Sequence, residues 1–106
     1  MRIEGLEVGY YARPSEVDLR LIGSAEVIEA GRRIALERLG DRCFSQDGSS
    51  MEEVVVRTMT RRGLKLALAE SCTGGLIASR ITDVPGAIAV LTHGFVTYAN
   101  QAKVAV

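Results

Sequence analysis

The sequence contains few of the residues that cross-link small proteins through disulfides or bind metals. Its 106 residues include no tryptophan, one histidine and two cysteines. Cys43 and Cys72 are too few for a disulfide scaffold and lack metal-ligand spacing, and His93 has no nearby partner with which to bind zinc. We therefore expect reduced thiols, no structural metal and no cofactor.

Long apolar runs and net charge are also lacking. No stretch approaches the roughly 20 apolar residues that span a bilayer, and the amino terminus lacks a signal-peptide core, so we expect a cytoplasmic protein without a membrane partner. Thirteen Lys or Arg residues balance thirteen Asp or Glu residues. Because general nucleic-acid binders use excess cations to displace counterions from phosphates, we expect no nucleic-acid partner.

Hydrophobic periodicity predicts an α/β chain whose first part is a small ββα unit. Apolar residues alternate within 6–10 and 17–21, which predicts two half-buried strands joined by a turn at 13–15. Over 25–39 the period becomes helical, and Gly40 is placed to end that helix.

The second part is predicted to follow a polar, glycine-containing linker over 45–50. Two overlapping serine-to-glutamate spacings within 49–53 fit a capping box at the start of a helix. The run 64–70 predicts a strand covered on both faces, because small apolar residues occupy its second face. A glycine-bearing turn, a helix and a β-rich run over 88–98 complete a βαβ order.

The turn from Ser71 to Gly75 has two interpretations. A serine or threonine at a helix entrance commonly serves only as an N-cap, and glycines commonly only let the backbone turn. The same geometry exposes amides at a helix start, where Gly74 and Gly75 have no Cβ atoms to keep away a phosphate, a carboxylate or a developing oxyanion. Ser71 would then lie at the carboxyl end of a strand, where open α/β sheets bind ligands.

A serine nucleophile needs a base, and the sequence offers few. Eleven of the thirteen cations are arginines, which stay protonated in proteins, so only Lys65 and Lys103 could supply an amine base. Lys103 follows Tyr98 by five residues, and a serine, a tyrosine and a lysine can together relay a proton. Spacing alone leaves open that Lys103 is a solvated helix residue and Tyr98 a strand aromatic, and it favours a structural or surface role for His93.

Three ordered segments resemble those of a known family. They are AESCTGG over 69–75, VPG over 84–86 and GFVTYANQAK over 94–103. With matching gaps, they resemble the signature of the CinA family, the competence/damage-inducible proteins whose carboxy-terminal domain is a nicotinamide mononucleotide deamidase. The resemblance implies a connector domain over 1–47, followed over 48–106 by the first part of the deamidase domain, which in the family continues through further helices and strands.

The activity implied by the resemblance is hydrolysis of nicotinamide mononucleotide to nicotinic acid mononucleotide and ammonia. It makes Ser71 the nucleophile, and Tyr98 with Lys103 completes the catalytic set. In the expected mechanism Lys103 helps Tyr98 accept the serine proton, and the amides of 72–74 hold the oxyanion. Glu70 either orients the substrate's ribose or Lys103, or it caps the next helix. The other candidate substrate contacts are Thr73, Gly74, Gly75 and Asn100.

Two alternatives stay beside this hypothesis. The chain is also interpretable as a non-catalytic CinA fragment or interaction module that assembles with another chain, because an incomplete sheet exposes edge strands and apolar faces. A cysteine hydrolase that uses Cys72 at the helix start is the third possibility, although spacing shows no histidine or acid partner for it. The expected partners are a small-molecule nucleotide substrate and further copies of the chain, as a homo-oligomer.

Overall fold

The computed structural model describes residues 2–106, which form two compact units. One unit ends at Cys43 and the other spans Phe44–Val106. Each contains a short sheet and at least one helix, which confirms the predicted α/β class. Among residues 2–106 no helix combines the length and the apolar composition needed to cross a bilayer. The assignment of 1–47 as a connector domain and 48–106 as part of a deamidase domain stays a prediction.

The first unit is a β-hairpin with one helix against it, as the periodicity predicts. Strands β1 (Glu7–Arg13) and β2 (Glu16–Ile22) pair antiparallel through a two-residue turn. Helix α1 (Ala25–Leu39) contacts the hairpin through Gly31, where a Cβ atom would lie 2.7 Å from Cδ2 of Leu6. A side chain at position 31 would require the end of the Leu6 side chain to move.

Helix α1 is capped at both ends, by Ser24 at its start and by Gly40 at its end. The hydroxyl of Ser24 accepts a hydrogen bond of 3.4 Å from the amide of Val27. Gly40 ends the helix at a φ of 53°, and its amide donates to the carbonyl of Leu36, which confirms the predicted C-cap.

The second unit contains a parallel pair of strands joined by a helix. After α2 (Met51–Arg61) comes β3 (Leu66–Glu70), then α3 (Leu76–Thr82), then β4 (Leu91–Val96), which pairs in parallel with β3. Helix α4 (Asn100–Ala105) follows. The predicted βαβ order is confirmed.

One of the two predicted capping boxes forms at the start of α2. The Ser50 hydroxyl accepts a hydrogen bond of 3.2 Å from the Glu53 amide, and the Glu53 carboxylate accepts one of 2.7 Å from the Ser50 amide. Ser49 has a different role, since its hydroxyl accepts a hydrogen bond of 3.3 Å from Arg57.

Both strands of the second unit begin later than the periodicity predicts. β3 begins two residues later, because the amide of Leu64 donates to the carbonyl of Met59 at 2.9 Å and so belongs to the turn that closes α2. β4 begins three residues later, because Ala87–Ala89 form a 3₁₀ turn in which Ile88 is 94% exposed. Runs of apolar residues alone do not distinguish such a turn from a strand.

The core of the second unit lies where α2, α3 and the turn before β4 meet. It is formed by Val56, Ile81, Ala87 and Val90, and Val90 is fully buried. The turn is also held by Lys65, whose Nζ donates to the carbonyl of Ala89 at 2.6 Å. Leu66 and Leu91 pack against this core, which therefore lies where β3 and β4 begin.

One face of the parallel sheet is uncovered. Ala67 and Ala69 are exposed, and Phe95, paired with Ala69, is 42% exposed. Helix α3 lies on the opposite face, where a Cβ atom on Gly94 would be 3.4 Å from that of Ala78. The prediction that β3 is covered on both faces is therefore wrong within the second unit, which places α3 on one face and leaves Ala67 and Ala69 exposed on the other.

Candidate active site

Ser71 lies at the carboxyl edge of the parallel sheet. Glu70 and Val96 form the last pair of the β3 and β4 ladder, and the amide of Thr97 donates to the carbonyl of Glu70 at 2.7 Å. Ser71 therefore leaves the sheet directly beside Thr97, and Tyr98 follows Thr97 at the same edge. This is the edge at which open α/β sheets bind their ligands.

The turn after Ser71 depends on two glycines. Gly74 has a φ of 62° and its amide donates to the carbonyl of Ser71 at 3.0 Å. Gly75 has a φ of 97°, and a Cβ atom there would lie 3.4 Å from Cγ2 of Val96. Both are left-handed conformations that side chains disfavour, so the sequence pair Gly-Gly is required for the shape of the turn.

Two amides of the turn are free to hold an oxyanion. We expected donors from three residues, 72–74, but the Gly74 amide is used within the turn. Among residues 2–106, the amides of Cys72 and Thr73 have no hydrogen-bond acceptor. Backbone N–H groups are among the donors that form oxyanion holes.

Glu70 directs its carboxylate into the start of α3. One carboxylate oxygen accepts hydrogen bonds from the Thr73 hydroxyl at 2.7 Å and the Ile77 amide at 2.8 Å. The other accepts one of 3.0 Å from the Ala78 amide. Of the roles considered for Glu70, the structure shows the contacts of the capping role. The Thr73 hydroxyl donates its hydrogen bond to this carboxylate.

The charge of Glu70 follows from these contacts. Burial raises the pKa of this carboxyl, since the residue is only 4% exposed. Hydrogen bonds from Ala78, Thr73, Ile77 and Gly75 oppose burial and hold the pKa below its ordinary value. The side chain is therefore ionised at neutral pH and serves only as an acceptor.

The structure brings the Tyr98 segment to the same sheet edge as Ser71, and within residues 2–106 it joins none of the three expected catalytic residues by side-chain hydrogen bonds. Ser71 is half-buried, whereas Tyr98 is 75% exposed and Lys103 is exposed on α4. In the part of the chain that the structure describes, no hydrogen bond links their side chains. Asn100, a candidate substrate contact, is exposed at the start of α4.

The other reactive side chains are His93 in β4 and Cys72 directly after Ser71. His93 stacks in parallel on Phe95 within β4, with 6.1 Å between ring centroids, which is a structural contact. The Cys72 thiol is exposed and reduced, and within residues 2–106 it has no hydrogen-bond partner that would act as its base. The described residues contain no group of three His, Cys, Asp or Glu side chains placed to bind a metal.

Thr97 belongs to the site, although the sequence analysis did not single it out. It is 8% exposed, and its hydroxyl lies 3.5 Å from the carbonyl of Glu70, beside the shorter bond that its amide makes there. A polar residue directly before Tyr98 in an otherwise strand-like run was the only signal for it.

Comparison with known proteins identifies the family of the chain. The sequence model of the CinA C-terminal domain matches residues 48–106. A CinA-like protein of Akkermansia muciniphila is 50% identical over 102 residues, which are 96% of this chain and 25% of that relative. A CinA-like protein of Geobacter sulfurreducens is 51% identical over 80 residues, covering 76% of this chain and 19% of that relative. The chain thus spans about a quarter or less of these relatives.

A solved structure shows the same relationship. The crystal structure of a CinA superfamily protein from Escherichia coli aligns with a TM-score of 0.52 and 28% sequence identity, over 63% of this chain and 42% of that one. The matched sequence contains the strand, the Ser71 turn and the Tyr98 segment described above. The chain therefore belongs to the CinA family.

Proposed function

We propose that this chain carries the nucleophile-bearing part of a CinA-type amidohydrolase that converts nicotinamide mononucleotide to nicotinic acid mononucleotide and ammonia. The observation that carries the proposal is the position of Ser71. It lies at the carboxyl edge of β3, beside two amides without an acceptor in the described chain, and next to the segment that leads to Tyr98. These are the parts that acyl transfer requires: a nucleophile, an oxyanion site and a proton acceptor.

The proposed reaction proceeds in two balanced steps. The Ser71 oxygen attacks the carboxamide carbon while its proton passes to Tyr98, which gives its own phenol proton to the Lys103 amine. The amides of Cys72 and Thr73 stabilise the oxyanion. The proton then moves to the leaving nitrogen, the carbon–nitrogen bond breaks, and ammonia departs from an acyl-serine. Water attacks the acyl carbon and gives a proton to the Tyr98–Lys103 pair. The bond between the acyl carbon and the Ser71 oxygen then breaks, the pair returns the proton to that oxygen, and nicotinic acid mononucleotide departs.

Tyr98 and Lys103 form the proton-transfer pair in this proposal. Their order along the chain places Lys103 one helical turn into α4, and Tyr98 just before that helix. Both side chains are exposed, so neither is committed to packing within the second unit. In the proposed order Tyr98 exchanges the proton with the serine and Lys103 exchanges it with Tyr98.

The proposed substrate contacts follow the same edge. Gly74 and Gly75 let a ligand approach the turn backbone closely, and Asn100 offers an exposed amide at the start of α4. The Thr73 hydroxyl can still accept a hydrogen bond from the substrate, because it donates to Glu70. We propose a cytoplasmic enzyme that acts as a homo-oligomer and has no nucleic-acid partner.

A second candidate function is favoured by the uncovered sheet face. Ala67, Ala69 and Phe95 leave an apolar surface on the second unit, which suits a non-catalytic module that assembles with another chain. One experiment separates the two. The purified chain is incubated with nicotinamide mononucleotide, both products are quantified, and its mass is measured over a range of concentrations. Equal amounts of ammonia and nicotinic acid mononucleotide support the amidohydrolase, whereas no turnover with concentration-dependent assembly supports the module.

A further inference from the structure

We propose that Glu70 is a positioning residue for the reaction: its buried carboxylate holds the Ser71–Gly75 turn in the shape that aligns the nucleophile with its oxyanion amides. This inference rests on the proposed function. It gives a role to the one buried carboxylate of the described second unit, which neither attacks the substrate nor transfers a proton in the mechanism above.

The side chain of Glu70 ties together both ends of the turn. Thr73 lies inside the turn, whereas Ile77 and Ala78 belong to the first part of α3, and all three donate hydrogen bonds to the same carboxylate. Ser71 and the two acceptor-free amides lie between Glu70 and Gly74. A shift of the Glu70 carboxylate would therefore displace this whole segment relative to α3.

The backbone of Glu70 holds the other side of the site. Its carbonyl accepts the 2.7 Å hydrogen bond from the Thr97 amide, and the Thr97 hydroxyl lies 3.5 Å from the same oxygen. Glu70 is therefore bonded to the residue that precedes Tyr98 as well as to the turn that follows Ser71. Glu70 therefore forms hydrogen bonds with the turn, with α3 and with the residue before Tyr98.

The role requires both the negative charge and the length of glutamate. A glutamine at this position would present an NH₂ group, which is a donor, to a site whose neighbours are all donors, so at least one hydrogen bond would be lost. An aspartate would keep the charge but end one methylene short of the donors. Glutamine therefore tests the charge, and aspartate tests the reach.

Glu53 provides a matched control. It also caps a helix in the second unit, by accepting the 2.7 Å hydrogen bond from the Ser50 amide, but at the start of α2 rather than at the turn. If Glu70 only stabilised a helix, Glu70→Gln and Glu53→Gln would have the same kind of effect. Under the positioning role, only Glu70→Gln changes the rate of the chemical step.

The experiment compares steady-state deamidation of nicotinamide mononucleotide by the wild type, Glu70→Gln, Glu70→Asp and Glu53→Gln. Urea unfolding confirms the folded fraction of each. We expect Glu70→Gln to lower kcat by about 100-fold with KM nearly unchanged, as small misalignments of reacting groups do. Glu70→Asp should fall between it and the wild type, and Glu53→Gln should keep the wild-type kcat. A wild-type kcat in folded Glu70→Gln would overturn the inference.

The positioning role of Glu70 can also be tested if Glu70→Gln does not fold or if the wild type is inactive. If Glu70→Gln does not fold, Glu70→Asp decides, with a lowered kcat in support and a wild-type kcat against. If the wild type itself releases no ammonia, the proposed function fails separately, and the turn is followed by alkylation of Cys72 with iodoacetamide in a Cys43→Ser background. Glu70→Gln should then change the rate of Cys72 alkylation, whereas Glu53→Gln should not; equal rates in all three proteins would refute the positioning role.

Discussion

The amide of Thr97 donates a hydrogen bond of 2.7 Å to the carbonyl of Glu70, and this bond closes the parallel ladder where both strands end. Ser71 directly follows Glu70, and Tyr98 directly follows Thr97. The relative placement of the proposed nucleophile and its proton acceptor is therefore set by backbone hydrogen bonding. Side-chain substitutions at Ser71 or Tyr98 leave that bond in place, which makes their effects on rate interpretable.

Tyr98→Phe should lower deamidation without unfolding the chain. Removal of a proton-transfer hydroxyl costs about 10²- to 10⁴-fold in rate, and the ring of Tyr98 is 75% exposed, so little packing is lost. The measurement is kcat, with the urea midpoint as a check on folding. Tyr11→Phe removes a similar hydroxyl from a residue that is 66% exposed in the first unit, and it should leave kcat unchanged. Equal rates for Tyr98→Phe and Tyr11→Phe would remove Tyr98 from the mechanism.

The two glycines of the turn should differ in their tolerance of a methyl group. A left-handed φ costs an alanine about 1–2 kcal/mol. At Gly74 the added Cβ meets open space, so Gly74→Ala should lose about 1 kcal/mol of unfolding free energy. At Gly75 the φ of 97° is further from the allowed region, and the Cβ would lie 3.4 Å from Val96. Gly75→Ala should therefore lose more stability than Gly74→Ala in urea unfolding; the reverse order would contradict the described turn.

Alanine substitutions at Val90, which is buried, and at Ile88, which is exposed, test the packing of the core. Val90 is 0% exposed, so Val90→Ala should cost about 2 kcal/mol, by loss of burial and by the cavity that it leaves. Ile88, two residues earlier, is 94% exposed, and Ile88→Ala should change stability by no more than about 0.5 kcal/mol. Chemical unfolding of both variants checks the difference. Similar losses would mean that the turn before β4 is packed differently.

The ion pair between α2 and α3 should make stability depend on pH in acid. Nε of Arg80 donates to Glu52 at 2.7 Å, and this hydrogen bond is the largest of the interactions that together lower the pKa of Glu52 from 4.5 to about 2. Because the folded form binds this proton more weakly than the unfolded chain, the contribution is complete above pH 4.5 and is lost as the pH falls toward 2. A partly solvated pair of this kind contributes up to about 1 kcal/mol.

A double-mutant cycle isolates that contribution. Glu52→Gln, Arg80→Gln and the double variant are unfolded in urea at neutral pH and at the acid end of the folded range. The coupling free energy should be favourable at neutral pH and approach zero in acid. A coupling that does not change with pH would show that the pair does not set the titration of Glu52.

The sequence predicted the order of the helices and strands better than it predicted where the strands begin and which residues are buried. The period-two and helical patterns located the hairpin, α1 and the βαβ order, because each depends on local alternation or on caps such as Gly40 and the Ser50 box. The start of β4 was misplaced, since the apolar Ile88 continues the strand pattern although it lies in a turn. The expected cover over Ala67 and Ala69 was wrong, because small side chains permit packing but do not show what packs there.

In the candidate site, too, the sequence predicted the position of a residue but not its hydrogen-bond partners. The position of Ser71 followed from a strand, a glycine-bearing turn and a helix in that order. The choice for Glu70 between a substrate contact and a cap required three-dimensional contacts with Thr73, Ile77 and Ala78. The loss of the Gly74 amide from the expected oxyanion donors also depends on a bond that no sequence pattern specifies.

Ammonia release from nicotinamide mononucleotide by Ser71→Ala, beside Cys72→Ala, tests the central claim most directly. The two residues are adjacent in the same turn, so the pair separates the serine from the cysteine mechanism with little difference in structure. The serine mechanism predicts that Ser71→Ala loses at least about 10³-fold in kcat, whereas Cys72→Ala stays close to the wild type. Activity that survives Ser71→Ala but is abolished by Cys72→Ala would contradict it.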